Sequence, residues 1–161
     1  MRKLFALSAT VAMLLVFAVP VHADSPCAPP TPGQTATCTV NFHNATQTFP
    51  SVGLPCIPDS TVTVTFNAVM HITINGAGDV WITTTQEGSF MAVPFANPAN
   101  LASGHFAMWF GVSSNNQNAV LHDTFNIHGT FADGTPVDLH LVDHLSMSAN
   151  GTLNMFTQVT C

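Results

Sequence analysis

Basic residues are almost missing from this sequence. Among 161 residues there are two, Arg2 and Lys3, and beyond them only histidine can carry a positive side chain. Nucleic-acid binding needs cationic contacts to phosphate, so that class is excluded. A phosphate-gripping lysine and an arginine clamp are excluded with it, as is electrostatic attraction to an anionic membrane surface. Tyrosine is absent and tryptophan occurs twice, which argues against a membrane barrel with aromatic girdles. The good helix formers Lys, Arg and Glu are scarce, Glu87 being the one glutamate, so helices of useful length are not expected.

The residues that are present begin with an export signal. Arg2 and Lys3 precede the apolar run Leu4 to Val19, and Val21-His22-Ala23 has the small-x-small pattern of a cleavage site. The run is shorter than the roughly 20 residues of a membrane span, and no second run of that length occurs. Residues 1–23 are therefore expected to be a signal peptide, 24–35 a Pro-rich arm beginning DSPCAPPTP, and 36–161 a single domain of a secreted, extracellular protein that has no membrane association after cleavage. Removal of the leader takes both basic residues with it and leaves the 8 acidic side chains unbalanced. Four cysteines in an oxidising compartment imply two disulfides. The pairing Cys27–Cys38 would close a short loop in the arm, and Cys56–Cys161 would tie the chain end to the start of the main sheet.

Past the arm, apolar and polar residues alternate over long stretches, the period of a half-buried strand. Strands are predicted near 36–43, 45–52, 60–74, 79–92, 102–113, 118–131, 135–148 and 152–161. In 60–74 the even positions Val62, Val64, Phe66, Ala68, Met70, Ile72 and Ile74 form a dry face, with threonines, Asn67 and His71 on the other. Two turns set register. Ala132-Asp133-Gly134 and Ala149-Asn150-Gly151 read as three-residue hairpin loops with glycine in the left-handed position. They pair Phe131 with Thr135 and Ser148 with Thr152, which keeps apolar residues opposite apolar ones, such as Ile127–Leu139, Phe125–Leu141 and Leu145–Met155. A two-residue loop would set dry positions against wet ones. The fold class expected is all-β: an antiparallel up-and-down meander of about seven or eight long strands, closed or nearly closed into a barrel that hides its edges. A two-sheet sandwich is the alternative.

The same registers gather candidate functional residues. Asp123 falls opposite Asp143 on the dry face, and Thr157 opposite Asp143. Thr84 and Gln86 share that face, and a face-matched preceding hairpin puts Met108 opposite Asp123. Two facing acids in an apolar lumen repel, so one should hold a proton at neutral pH. Asp123, Asp143, Thr157, Thr84 and Gln86 are thus candidate ligand-binding residues. The bland alternative is that the acids sit hydrated at a barrel mouth, or that a bulge turns one outward. Of histidines 43, 71, 105, 122, 128, 140 and 144, six fall in strands on the wet face, where His replaces Lys and Arg as polar surface. His122 falls opposite His144, with Trp109 beside it, and His128 opposite Asp138. A cross-strand His122–His144 pair can touch Zn²⁺ or Cu²⁺, although a firm site takes three or four ligands, and no cofactor is expected. As the histidines gain protons below neutral pH, intermolecular repulsion falls and self-association should rise. G-x-S-x-G is absent, so triad chemistry finds no support.

Phe42-His43, Pro55-Cys56, His71-Ile-Thr, Trp109-Phe110-Gly111, Asn126-Ile-His128-Gly-Thr, Asn150-Gly151-Thr152 and the terminal Cys161, behind a signal peptide, resemble a group of uncharacterised small secreted bacterial β-rich proteins. That resemblance implies a secreted β-protein and no assigned activity. The form is also similar to lipocalin-like and allene-oxide-cyclase-like barrels, a likeness of architecture that does not carry function. Three functions fit the residues. The first is a non-catalytic module binding an apolar or weakly polar small molecule in the lumen. The others are an extracellular structural or interaction protein with no luminal ligand, and an isomerase or cyclase working through the aspartate pair.

Overall fold

A computed structural model describes residues 33–161. Seven strands account for most of them: β1 (Ala36–Val52), β2 (Ser60–Ile74), β3 (Val80–Pro94), β4 (Ala102–Ser114), β5 (Ala119–Phe131), β6 (Pro136–Met147) and β7 (Leu153–Thr160). They form one antiparallel sheet in sequence order, β1 to β7. The expected signal peptide and most of the Pro-rich arm lie outside the described residues, as does Cys27 of the expected Cys27–Cys38 pair; Cys38 itself is disulfide-bonded.

Alternation builds each strand. Along β2 the even positions from Ser60 to Ala68 are buried and the odd ones lean outward, Thr65, Asn67 and Val69 being exposed. Threonine and valine suit both roles, since branching at Cβ favours the pleated backbone and the hydroxyl serves the wet side. Across the outer face, threonine hydroxyls pair between strands, Thr46 with Thr65 at 3.2 Å and Thr48 with Thr63 at 3.0 Å.

The two glycine turns form as predicted. Phe131 N–H donates to Thr135 O at 2.8 Å, and Ser148 N–H to Thr152 O at 3.0 Å. Gly134 and Gly151 take φ of +87° and +80°, a conformation that costs other residues roughly 1–2 kcal/mol. Asp133 and Asn150 each accept the N–H two residues on, from Thr135 and Thr152, which closes the turn from the side chain. The resulting registers are Ile127–Leu139, Asp123–Asp143, Leu145–Met155 and Asp143–Thr157.

Three expectations need correction. The segments predicted as separate strands at 36–43 and 45–52 are one strand, β1. His43 and Asn44 bulge opposite Asn67, so the pairing shifts between Phe42–Ala68 and Ala45–Phe66. Asn44 sits at φ +50° and donates its N–H to Asn67 Oδ1. The bulge bends the strand rather than ending it, and it moves the inward positions from even to odd numbers. Secondly, Met108 lies opposite Phe125, and Phe110 opposite Asp123. The β4–β5 turn closes on Asn115 and Asn118, with Asn115 Oδ1 accepting two following N–H groups; containing no glycine, it left its centre unmarked in the sequence. Thirdly, among the described residues the sheet is not closed. Its edges, β1 and β7, do not pair with each other. In an up-and-down meander of odd strand number these two run the same way, so closure would require a parallel pairing that no hairpin sets.

A covalent tie takes the place of that pairing at one end. Cys56, in the loop after β1, is bonded to Cys161 just beyond β7, as expected, with Cα atoms 5.6 Å apart. The core gathers at this end. Leu139, Leu141 and Val137 are the most deeply buried large side chains, in a core shared with Phe66, Phe90, Phe106, Ile127 and the loop residue Ile57. Towards the other end the inward residues Ile72, Ile82, Val112, Leu121 and Leu145 are only half buried. β7 is exposed along its whole length.

Candidate functional site

One rung of the inner face collects the polar residues. Val40, Met70, Thr84, Phe110, Asp123, Asp143 and Thr157 are successive direct partners, one from each strand. Asp123 and Thr84 are 2% exposed and Asp143 6%. Both bland alternatives fail on those values: neither acid sits at a wet mouth and neither is turned outward. Thr157 meets Asp143 in register but stays exposed on β7. Gln86 lies one rung away, half buried, opposite Met108.

Asp123 Oδ1, Asp143 Oδ1 and Thr84 Oγ1 are buried and have no hydrogen-bond partner. Each such atom costs roughly 1–3 kcal/mol relative to a satisfied one. Burial pushes the Asp123 carboxyl up from 3.8 to about 6; the neighbouring Asp143 charge adds to the rise and the Asp143 backbone N–H opposes it. Asp123 therefore keeps its proton to a higher pH than a free carboxyl does, the direction expected for facing acids. Each carboxyl of the pair presents one buried acceptor oxygen without a donor.

Beside it lies a cavity of about 120 Å³. Its walls include Phe42, Phe49, Leu54, Phe66, Met70, Met108 and Phe125, with Thr84, Gln86 and Gln47 as the polar members. Phe125 and Met108 belong to the rung next to the aspartates, two residues along β5 from Asp123 and two along β4 from Phe110. Thr84 and Gln86 were legible in the sequence, whereas Gln47 and Phe49 of β1 were not, because the bulge at Asn44 shifts the inward positions after it from even to odd numbers. An asparagine inside an otherwise alternating strand was the available signal, since Asn tolerates the left-handed region better than most residues. Phe110, between Thr84 and Asp123, was missed with the β4–β5 register.

The histidines stand on the other face. His122 and His144 are direct partners with ring centroids 5.7 Å apart, and Trp109 meets His122 edge-on at 5.6 Å. His128 Nδ1 and Asp138 Oδ1 are 2.6 Å apart at the surface. His140 bonds Asn126, and His71 bonds Thr39. Among the described residues no three His, Cys, Asp or Glu side chains are grouped to hold a metal ion, so His122 and His144 have no third ligand there. Compared with known protein families, with curated proteins and with solved structures, the chain matches none.

Proposed function

We propose that this is a secreted, non-catalytic binding protein that takes a small apolar or weakly polar molecule inside a nearly closed β-barrel. One observation carries the reading: an apolar cavity of about 120 Å³ shares the inner face with three buried polar atoms that have no partner. A face built for stability alone would hold Leu or Val where Asp123 and Asp143 stand, because facing carboxylates in an apolar setting cost free energy. Retaining them makes sense if something else contacts them. The volume suits a ring-sized body, since an engineered cavity of about 150 Å³ accepts benzene. The histidines lie on the opposite face, which leaves acid–base chemistry to the carboxylates alone and favours binding over turnover. The export pattern at the N-terminus and the Cys56–Cys161 disulfide support an extracellular setting.

A second reading draws on β7. Leu153, Phe156 and Val159 are each at least 38% exposed on an uncharged edge strand, which suits an extracellular interaction protein. Ligand-observed NMR separates the two. Benzyl alcohol should bind the oxidised protein saturably, and Ala68→Phe, which fills the cavity, should abolish binding. No saturable binding, or binding unchanged by Ala68→Phe, would leave β7 as the better candidate surface.

A further inference from the structure

We infer that the ligand of the inner face is an apolar amine, with a ring-sized body in the cavity against Met108 and Phe125 and its ammonium held between Asp123 and Asp143. This rests on the proposed binding role and names its ligand class.

A counter-charge is missing from the inner face. Beyond Lys3 the chain has no Lys or Arg, so no side chain of fixed positive charge can neutralise the two acids. Histidine cannot serve either. His122 precedes Asp123 and His144 follows Asp143, and as immediate chain neighbours they project to the opposite face of the sheet. The remaining strand histidines lie on that outer face as well. The inward residues directly flanking the pair along β5 and β6 are Leu121, Phe125, Leu141 and Leu145, none of them able to donate a proton or carry charge. The pair thus faces inward, buried, with one oxygen on each carboxyl unpartnered.

Thr84 gives an independent sign that something polar belongs here. It stands on another strand, is 2% exposed, lines the cavity, and its hydroxyl also lacks a partner. Candidate ligands then sort by chemistry. An anion is repelled by two carboxylates. A neutral hydrocarbon fills the cavity but leaves the acids bare. A hard divalent cation wants six or more oxygens; Phe110 stands between Thr84 and Asp123 in register, which leaves the two carboxylates only the exposed Thr157 hydroxyl as a neighbour, five oxygens at most, and no third acid or histidine joins them among the described residues. A primary ammonium has three N–H donors, two for the aspartate oxygens and one to spare. Phe110, buried and directly opposite Asp123, adds an aromatic ring of the kind that attracts a desolvated cation. Reach fits as well. Asp123 is two residues from Phe125, about 6.6 Å along the strand at about 3.3 Å per residue, the span of a short alkyl linker between a ring and its nitrogen.

Calorimetric titration of the exported, oxidised protein at neutral pH with 2-phenylethylamine and with 2-phenylethanol tests this. The two probes share a shape and differ in the charged nitrogen. A charge-assisted hydrogen bond in a buried site should make the amine bind at least about tenfold tighter. Asp123→Asn combined with Asp143→Asn should erase that preference while retaining binding of the alcohol; removal of two buried charges is not expected to unfold the chain, and the single Asp143→Asn variant should show an intermediate preference. Equal affinity of the wild type for both probes, abolished for both by Ala68→Phe, would overturn the amine and keep the apolar pocket. Failure of both probes to bind would overturn the amine together with the binding reading. A preference for the amine that survives the double variant would place the charged nitrogen elsewhere and overturn the assignment.

Discussion

Replacing Asp123 by Asn should stabilise this protein at neutral pH, against the usual outcome of altering a buried residue. Asp123 is 2% exposed and its carboxyl is pushed from 3.8 to about 6 by burial and by Asp143. A raised folded-state value means that the native chain binds the proton more tightly than the unfolded chain does. Stability from this group is therefore highest below the unfolded value near 4 and falls as pH rises to about 6, above which both states are ionised and the penalty is complete. Two pKa units at about 1.36 kcal/mol each give a penalty of about 3 kcal/mol. Asn removes the charge at nearly constant volume and can donate a hydrogen bond to Asp143. Chemical denaturation with the disulfides intact should thus show wild type about 2 kcal/mol more stable at pH 4.5, where part of the penalty is already present, than at 7.5, and Asp123→Asn gaining about 3 kcal/mol at pH 7.5 with the difference flattened. Asp133, whose carboxyl is held low chiefly by the Thr135 backbone N–H, acts in the opposite sense but only below its unfolded value, outside this window. An Asp123→Asn protein no more stable than wild type at pH 7.5 would refute the reasoning.

The fold makes three further outcomes testable. Cys56→Ala with Cys161→Ala opens a loop of sequence separation 105, which should cost about 5 kcal/mol by loop-closure entropy and be visible as an earlier denaturation midpoint with little change on the inner face. Gly134→Ala forces a Cβ into the left-handed region at φ +87° and should cost about 1–2 kcal/mol, measured by thermal unfolding, although the added methyl meets no atom within 4 Å. Lowering pH from 7.5 to 5.5 should increase self-association as the net negative charge of this acidic chain shrinks; sedimentation velocity showing the same species at both values would contradict this.

The sequence was most legible where a turn carried its own label. Glycine after Asp133 and after Asn150 fixed two hairpins, and with them the Asp123–Asp143 and Asp143–Thr157 pairs, because period-two alternation allows only face-matched registers. Where turns were built without glycine, as at Asn115–Asn118, the pairing slipped by one inward residue and Phe110 was replaced by Met108 opposite Asp123. Parity reasoning also stopped at Asn44. A bulge inserts one residue and reverses every inward position after it, so Gln47 and Phe49 were not read as part of the cavity. Closure was the least legible feature. Strand length and hairpin chemistry constrain neighbours, whereas the meeting of β1 with β7 depends on curvature accumulated over the whole sheet. The exposure of Leu153 and Val159 comes from that open edge and could not be seen from their alternation.

Ligand entry to the inner face at the Asp123–Asp143 rung is the central claim, and chemical-shift mapping during titration with 2-phenylethylamine addresses it directly. Saturable shifts are expected at Asp123, Asp143, Thr84, Met108 and Phe125, with His122 and His144 much less affected. Shifts confined to the outer histidines and Trp109, or to β7, would contradict it.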